Sequence, residues 1–302
     1  MLWIILCILA ASAWGLAAFI DNYQTDVIFR GKSPQSVKLI NGPLYIIISI
    51  ILVIIFRPQF PELWQIGLLI LSGCISSIGT FAYYQALKHE EPTGAAIFYQ
   101  LQPVMFLVAD YLIFHEEITP LQIVGFATIL LAPFVIIFSR KRAKARRMEK
   151  IAAFFLVIYV AIATVSAELC VRAGAGLDFT AIIPFYIFGR GMTDCFAGIS
   201  PKLRRRNRSA LKRYGFKYIG SAIVDSALCA TADCCYRFSL IVGVSAIVSA
   251  FANAAELIIT FLFGIVLSII WPNFGREKLQ RRIVLAHAIG VILCIIGLVI
   301  IQ

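Results

Sequence analysis

The chain of 302 residues is 61% hydrophobic and only 14% charged, and its mean hydropathy is +0.89. Soluble domains contain about 25% charged residues, so this composition excludes an ordinary soluble domain and indicates a membrane protein. The formal net charge of +11 would suit a nucleic-acid-binding protein. The basic residues are concentrated between apolar runs, however, so we predict no nucleic-acid partner.

Apolar runs long enough to cross a membrane follow one another along the chain. A helix needs about 20 apolar residues to cross a hydrocarbon core of about 30 Å. Five uncharged runs reach or approach this length: 2–20, 39–56, 63–87, 118–139 and 283–301. Five more carry one to three charges each: 93–114, 151–172, 179–199, 218–238 and 243–270. Continuous apolar segments in lipid must be helical, so we predict an all-α membrane protein with ten transmembrane helices, numbered spans 1 to 10.

The basic residues predict how the chain is oriented. The connections after spans 1, 3, 5, 7 and 9 hold 23 Lys or Arg, and those after spans 2, 4, 6 and 8 hold about three. Because basic connections remain cytoplasmic, we predict a multi-pass protein of the cell membrane with cytoplasmic loops 139–150 and 200–217 and both termini outside. These loops are also candidates for contact with anionic lipid or a partner. Span 1 lacks a preceding basic region and a cleavage site, so we expect it to be retained.

The two halves of the chain are weakly similar to each other. The basic loop 139–150 separates five spans from five. A shift of 152 residues places F-A-Y-Y-Q-A-L (81–87) on D-C-C-Y-R-F-S (233–239), so that Tyr84 corresponds to Tyr236. A shift of 165 residues places Gly125 on Gly290. An odd number of spans in each half inverts the halves in the membrane, an arrangement common in secondary transporters.

Short motifs mark the first half: A-W-G (13–15), F-A-Y-Y-Q-A-L-K (81–88), A-A (95–96), L-Q-P-V (101–104), H-E-E-I (115–118) and Gly125. Together they resemble the first repeat of the EamA domain of the drug/metabolite transporter superfamily. The resemblance implies two inverted five-helix EamA-like repeats, residues 1–138 and 151–302, joined by a basic cytoplasmic linker, 139–150. It also implies export or exchange of small metabolites and leaves the substrate open, because the superfamily carries amino acids, sugars, nucleotide derivatives and toxic cations. Our leading prediction is a secondary-active transporter that exports or exchanges a small polar or cationic metabolite, amino-acid-like or drug-like, by alternating access. Family members usually have cytoplasmic termini, whereas the charges here predict external ones.

Charged residues within the spans are expected to face a cavity or a partner, because an unpaired charge at membrane depth is costly. Acid and base lie four residues apart, on one helix face, in three pairs: Glu168/Arg172, Arg190/Asp194 and Asp233/Arg237. Each pair either neutralises itself or contributes to a cavity, and Arg190/Asp194 lies deepest in its span. In the family, an Arg is frequent near the start of the second helix of a repeat, and Arg190 resembles it.

Asp225, Glu256 and Asp110 have no basic residue at helical spacing. Burial favours the neutral form of a carboxyl group, so a buried carboxyl exchanges protons near neutral pH. We therefore predict a proton or cation site in the central cavity that is formed by Glu256 and Asp225, with Asp110 and Asp194. The alternative is that each carboxyl is hydrogen-bonded to a neighbouring helix and stabilises the bundle.

Span 4 offers an aromatic and polar face to a substrate. Tyr99, Pro103, Phe106 and Asp110 recur at helical spacing, and Gln102 lies beside them. Pro103 removes one backbone hydrogen bond and frees a carbonyl, which is tolerated where protein or cavity water satisfies it. Aromatic residues at such spacing are also common in helix packing. The predicted substrate-binding residues are Trp14, Tyr83, Tyr84, Tyr99, Gln102, Arg190 and Tyr236.

Catalytic and metal-binding functions fit the sequence poorly. H-E-E occurs at 89–91 and 115–117, but a H-E-x-x-H zinc motif would need His at positions 93 and 119, which are Thr. The eight cysteines lie within or at the ends of apolar spans, without the paired spacing and further ligands of a zinc site. We predict packing thiols, no metal, no cofactor and no enzyme activity.

Two other functions remain open at this point. One is a flippase for a lipid-linked sugar or phosphate, which would favour a lateral opening and an unpaired arginine. The other is a membrane scaffold that transports nothing. For the leading prediction, the expected partners are a small-molecule substrate and the lipid bilayer, and the expected state is a monomer or weak homodimer.

Overall fold

The structure is a computed structural model that describes residues 2–30, 32–89, 92–109, 111, 119–139, 143–270 and 281–301. Asp110 and H-E-E-I (115–118) therefore lie outside the described residues. Within those residues the chain forms twelve α-helices and no strand. The helices are α1 (Leu2–Tyr23), α2 (Lys38–Phe56), α3 (Leu63–Ala86), α4 (Pro92–Tyr99), α5 (Leu101–Ala109), α6 (Pro120–Ser139), α7 (Ala143–Gly174), α8 (Phe179–Phe196), α9 (Pro201–Tyr214), α10 (Phe216–Val242), α11 (Ser245–Ile270) and α12 (Arg281–Ile301).

The helices follow the predicted spans, which confirms an all-α membrane protein. A π-turn, Gln24–Ile28, extends α1, and a 3-10 turn, Pro34–Val37, precedes α2. Five segments are long and apolar enough to cross a membrane by length and composition: Leu2–Ile28, Pro34–Phe56, Leu63–Ala86, Lys150–Gly174 and Ser245–Ile270. The full set of ten spans stays a prediction, because the described parts of the other spans do not meet the same criteria of length and composition.

The basic segments are more helical than the sequence predicts. The segment 200–217 is not a loop, because Pro201–Tyr214 within it forms α9. Pro201 occupies the first turn, where its missing N–H has no helical partner in any case, and Gly215 ends the helix at a φ of 49°. The Lys, Arg and Leu residues between them are good helix formers. Helix α7 likewise begins at Ala143, inside the predicted linker 139–150.

Helices of the first half pack mainly on helices of the second half. Helix α1 packs on α10 and α11, α2 packs on α8, α3 packs on α7 and α8, and α6 packs on α12. At the crossing of α3 and α8, a Cβ atom on Gly73 would overlap the carbonyl oxygen of Tyr186, and one on Gly189 would overlap that of Ile70. Small residues let helix backbones approach this closely in membranes. The space between the halves is therefore enclosed by helices from both.

The outer faces of the helices are apolar, as expected for contact with lipid. Helix α2 exposes a stripe of large apolar residues, and the positions are those of one helix face. They are Ile47, Ile50, Ile51, Ile54 and Ile55.

Candidate functional site

A central cavity of about 90 Å³ lies among helices of both halves, which is room for several water molecules. Nearly all the predicted site residues line it, although they come from spans 1, 3, 4, 7, 8 and 9. Asp110 is the exception, because it lies outside the described residues. The predicted residues that line the cavity are Trp14, Tyr83, Tyr84, Tyr99, Gln102, Arg190, Asp194, Asp225, Tyr236 and Glu256. Their roles in binding stay predictions.

The sequence prediction missed other residues that line the cavity. Asp21 and Lys38 lie at the ends of their predicted spans, so they were assigned to the connection between spans 1 and 2. The signal that could have found them is that each directly adjoins an uncharged apolar run, 2–20 or 39–56. Tyr45, Tyr159 and Asn253 lie within spans whose apolar residues cover every face, so the sequence gives no inward direction. All five line the cavity.

Lys38 is a buried charge, not a solvent-exposed residue of a cytoplasmic loop. Its side chain is 2% exposed, and its Nζ atom lies 2.5 Å from Oδ1 of Asp194. The same ammonium donates to the Ser77 carbonyl at 3.1 Å, and the Ser77 hydroxyl donates to Asp194. Lys38 thus joins α2, α3 and α8 at one point. It contributes one of the 23 residues in the positive-inside count, and removing it leaves the charge asymmetry large.

A second buried ion pair joins α8 to α10. The Arg190 guanidinium pairs with the Asp233 carboxylate, and its carbon lies 4.7 Å from the centre of the Tyr45 ring. Of the two interpretations of Arg190/Asp194 and Asp233/Arg237, self-neutralisation is not observed, since Asp194 pairs with Lys38. All four side chains line the cavity. The reason is geometric: residues four apart share a helix face, but the neighbours that reach them are on different helices.

Arg237 is held by hydroxyl groups. Its Nη2 atom donates to Oγ of Ser166 at 3.0 Å and to the Tyr186 hydroxyl at 3.2 Å. Its guanidinium carbon lies 4.8 Å from the centre of the Tyr186 ring, and the Tyr186 hydroxyl is 3.5 Å from Oδ2 of Asp233. Within the described part of the chain, Nε and Nη1 of Arg237 have no hydrogen-bond partner. This buried cation therefore has donors left for a further group.

Two buried carboxylates are held by neutral donors. The Tyr84 hydroxyl donates to Oδ1 of Asp21 at 2.6 Å, and the Asn41 amide donates to Oδ2 of Asp225 at 3.1 Å. The Cys229 thiol donates to the other Asp225 oxygen at 3.6 Å. Asp21 is 5% exposed and Asp225 is 1% exposed. Neutral donors satisfy the carboxylate oxygens but add no positive charge in direct contact with either group.

Glu256 differs from the other carboxylates of the cavity. It is 4% exposed and lines the cavity from α11. Among the described residues, neither a hydrogen-bond donor nor a cation bonds to its carboxylate. A buried carboxylate without a partner is strongly disfavoured, so this group is stable when it binds a proton or a cation.

Aromatic rings form much of the cavity wall. The rings of Tyr83, Tyr99 and Tyr159 lie in contact, with centres 5.4 to 6.3 Å apart. Trp14 and Tyr236 form a T-shaped pair with centres 4.9 Å apart. The faces of such rings attract cations, so the wall complements a positively charged solute.

The helix of span 4 is interrupted beside the cavity. Helix α4 ends at Tyr99 and α5 begins at Leu101, four residues and two residues before Pro103. As predicted, Pro103 frees a carbonyl, that of Tyr99, and the Asn253 side-chain amide donates to it at 3.0 Å. The Gln100 side-chain amide donates in return to the main-chain carbonyl of Asn253 at 2.7 Å. Two reciprocal hydrogen bonds from side-chain amides to main-chain carbonyls thus stabilise the interruption of the helix.

Replacing this amide should destabilise the protein measurably. We expect Asn253→Leu to lower the free energy of unfolding by about 1–3 kcal/mol, because it leaves the buried Tyr99 carbonyl without a donor. The melting temperature of the purified protein checks this. Thr231→Val is the matched control, because Thr231 is exposed and bonds only within its own helix. Equal melting temperatures for both variants would contradict the proposed role of Asn253.

Comparisons with known proteins identify the first half of the chain. The model of the EamA-like transporter family matches residues 1–138, which confirms the resemblance noted in the motifs. No curated protein matches the chain. A solved structure described as "Crystal structure of protein" shares 14% sequence identity and has a TM-score of 0.49. That alignment covers 96% of this chain and 95% of the other.

Proposed function

From the match of the EamA-like transporter family model to residues 1–138, we propose that the protein is a secondary transporter for small amine-bearing metabolites. It exports or exchanges its substrate by alternating access around the central cavity. In this proposal residues 1–138 and 151–302 are two inverted repeats, 139–150 is the linker between them, and the protein has no enzyme activity.

The packing of the helices supports two repeats related by a twofold axis in the membrane plane. Such an axis exchanges each span with the one five places later. Packing of α1 on α10 then requires packing of α3 on α7, while the pairs α2/α8 and α6/α12 map onto themselves. All four packings are present. In transporters of this kind the substrate site lies at the interface between the repeats, which is where the cavity lies.

The charge of the cavity supports a cationic group on the substrate. Five acidic and three basic residues line it, and two of each are consumed by the ion pairs Lys38–Asp194 and Arg190–Asp233. Outside these two ion pairs, the lining contains the carboxylates of Asp21, Asp225 and Glu256 and the guanidinium of Arg237. The acidic residues are Asp21, Asp194, Asp225, Asp233 and Glu256, and the basic residues are Lys38, Arg190 and Arg237.

The observation that carries the proposal is the partnerless carboxylate of Glu256 beside an aromatic wall. An ammonium group placed there would gain a charge-assisted hydrogen bond from the carboxylate and cation–π attraction from the rings. A proton neutralises the same carboxylate, so proton and ammonium compete for it. This competition would couple substrate movement in one direction to proton movement in the other.

Arg237 favours a second candidate function. Its two donors without partners suit a carboxylate or a phosphate. A carboxylate bound to Arg237 while an ammonium binds Glu256 would make the substrate amino-acid-like. A phosphate bound to Arg237 would instead make the protein a flippase for a lipid-linked phosphate.

The stability of the purified protein in the presence of candidate solutes tests the proposal. A ligand at 100 times its Kd stabilises a folded protein by about 2.7 kcal/mol, which raises the melting temperature. We expect amino acids or polyamines to raise it and nucleosides to leave it unchanged. Stabilisation by phosphorylated sugars alone would favour the flippase. No response to any solute would contradict transport and favour a scaffold.

We further propose a location in the cell membrane, with basic segments 139–150 and 200–217 in the cytoplasm and both termini outside. The asymmetric charge distribution supports this orientation. The proposed partners are a small-molecule substrate and the lipid bilayer, for a chain that is a monomer or weak homodimer and binds no nucleic acid.

A further inference from the structure

An open apolar groove lies where α8 leads into α9, outside the central cavity. Its volume is about 670 Å³, and the residues that line it include Ile46, Met192, Cys195, Phe196, Ile199 and Arg204. These residues belong to α2, to α8, to the turn between α8 and α9, and to α9. Arg204, from the first part of α9, is the charged residue of this lining.

The basic charge beside the groove has no local counter-ion. Residues 195–224 contain eight Lys or Arg and no Asp or Glu. Arg204 is exposed, and among the described residues no carboxylate forms an ion pair with it. The Arg204 guanidinium in the groove lining is therefore free to bind an external anion.

The depth of the groove in the membrane follows from the apolar residues around it. Phe196 and Ile199 are 62% and 71% exposed, and Phe216, just beyond α9, is 91% exposed. Large apolar side chains with this exposure are stable in contact with acyl chains, whereas the basic face of α9 is stable among headgroups. The groove thus extends from the acyl region to the headgroup region.

We propose that this groove binds an anionic phospholipid of the leaflet that faces α9. The acyl chain lies along the apolar lining, and the phosphate accepts hydrogen bonds from the Arg204 guanidinium. An amphiphile with one negative end matches an apolar groove whose lining includes one unpaired arginine. The charge distribution predicts that this leaflet is the cytoplasmic one, where anionic lipids are enriched. The site is independent of the proposed transport function.

Lipid binding to the purified full-length protein in a neutral detergent tests the proposal. Phosphatidylglycerol or phosphatidylcholine is titrated into the protein, and native mass spectrometry counts the lipid molecules that remain bound at each concentration. We expect phosphatidylglycerol to bind more tightly, and Arg204→Gln to weaken it about tenfold or more, because charge-assisted bonds to a phosphate are lost. Arg206→Gln is the matched control. This variant removes the same charge from α9. Arg206 lies two positions after Arg204, however, and side chains two positions apart on a helix point in different directions.

The affinities of the variants distinguish a specific lipid-binding site from nonspecific electrostatic attraction to the basic surface. Surface attraction alone amounts to about fivefold for each basic residue, so equal weakening by Arg204→Gln and Arg206→Gln would overturn the proposal. Ile199→Gln, at an exposed position, should also weaken phosphatidylglycerol binding if the acyl chain occupies the groove. Equal affinity for phosphatidylcholine would overturn the anion preference. Equal affinity for glycerol 3-phosphate would show that the acyl chain does not contribute and would overturn the lipid assignment.

Discussion

Glu256→Gln should abolish the dependence of amine transport on a pH gradient. The substituted amide has the same shape as the carboxylate but binds neither a proton nor an ammonium ion by charge. Removing one member of a buried charged contact costs about 2–5 kcal/mol, so substrate should bind at least about thirtyfold more weakly. Transport that remains should be the same in the presence and absence of the gradient, because the competition between proton and substrate is lost.

Uptake into liposomes measures this effect. The protein is reconstituted into liposomes, and a pH gradient is imposed across their membrane in either direction. We then measure the flux of a labelled amine that raised the melting temperature of the purified protein. Glu62→Gln is the matched control, because Glu62 undergoes the same chemical change at an exposed position before α3. Glu256→Gln protein that still responds to the gradient like the wild type would remove Glu256 from the coupling site. The transport proposal itself would survive that result.

Breaking the Arg190–Asp233 pair should cause the largest loss of stability. Both side chains are 8% exposed, and removing one member leaves the other charge buried without its partner. For buried pairs this costs about 3–5 kcal/mol. We expect Arg190→Met and Asp233→Leu each to lower the melting temperature strongly. Arg206→Met, on the exposed face of α9, should change the free energy of unfolding by less than about 0.5 kcal/mol.

The double variant Arg190→Met with Asp233→Leu distinguishes the pair from its separate side chains. Apolar residues that replace both members of a buried pair are often neutral for stability. The double variant should therefore be more stable than either single variant. If the two single losses simply add, the residues stabilise the fold through separate contacts, and the pairing has no energetic role.

Several features of the candidate site were predictable from local chemistry. Pro103 cannot donate a backbone hydrogen bond, so its position predicts a freed backbone carbonyl, and this is the Tyr99 carbonyl bonded by Asn253. Charged residues at membrane depth must face a cavity or a partner, which predicts such a position for Arg190, Asp225 and Glu256. The structure places all three in the lining of one cavity.

The pairing of the charges was not predictable in the same way. Spacing along a helix places Arg190 and Asp194 on one face and offers them to each other, whereas Arg190 pairs with Asp233 and Asp194 pairs with Lys38. These partners belong to different helices, and their approach depends on how α2, α8 and α10 pack. Nothing in the local sequence of any one helix carries that information.

The sequence by itself determined the class of the protein and the helical character of its spans. Long uncharged runs are stable in lipid only when every backbone group is bonded within the segment, which is a local property. The tertiary structure decided which helix faces point inward and which charges meet, because an apolar helix has no polar face to direct it. Lys38, which the sequence predicts to lie in a loop, is in the structure the buried partner of Asp194. The distance between two side chains on separate helices is set by packing, and packing is a property of the whole chain.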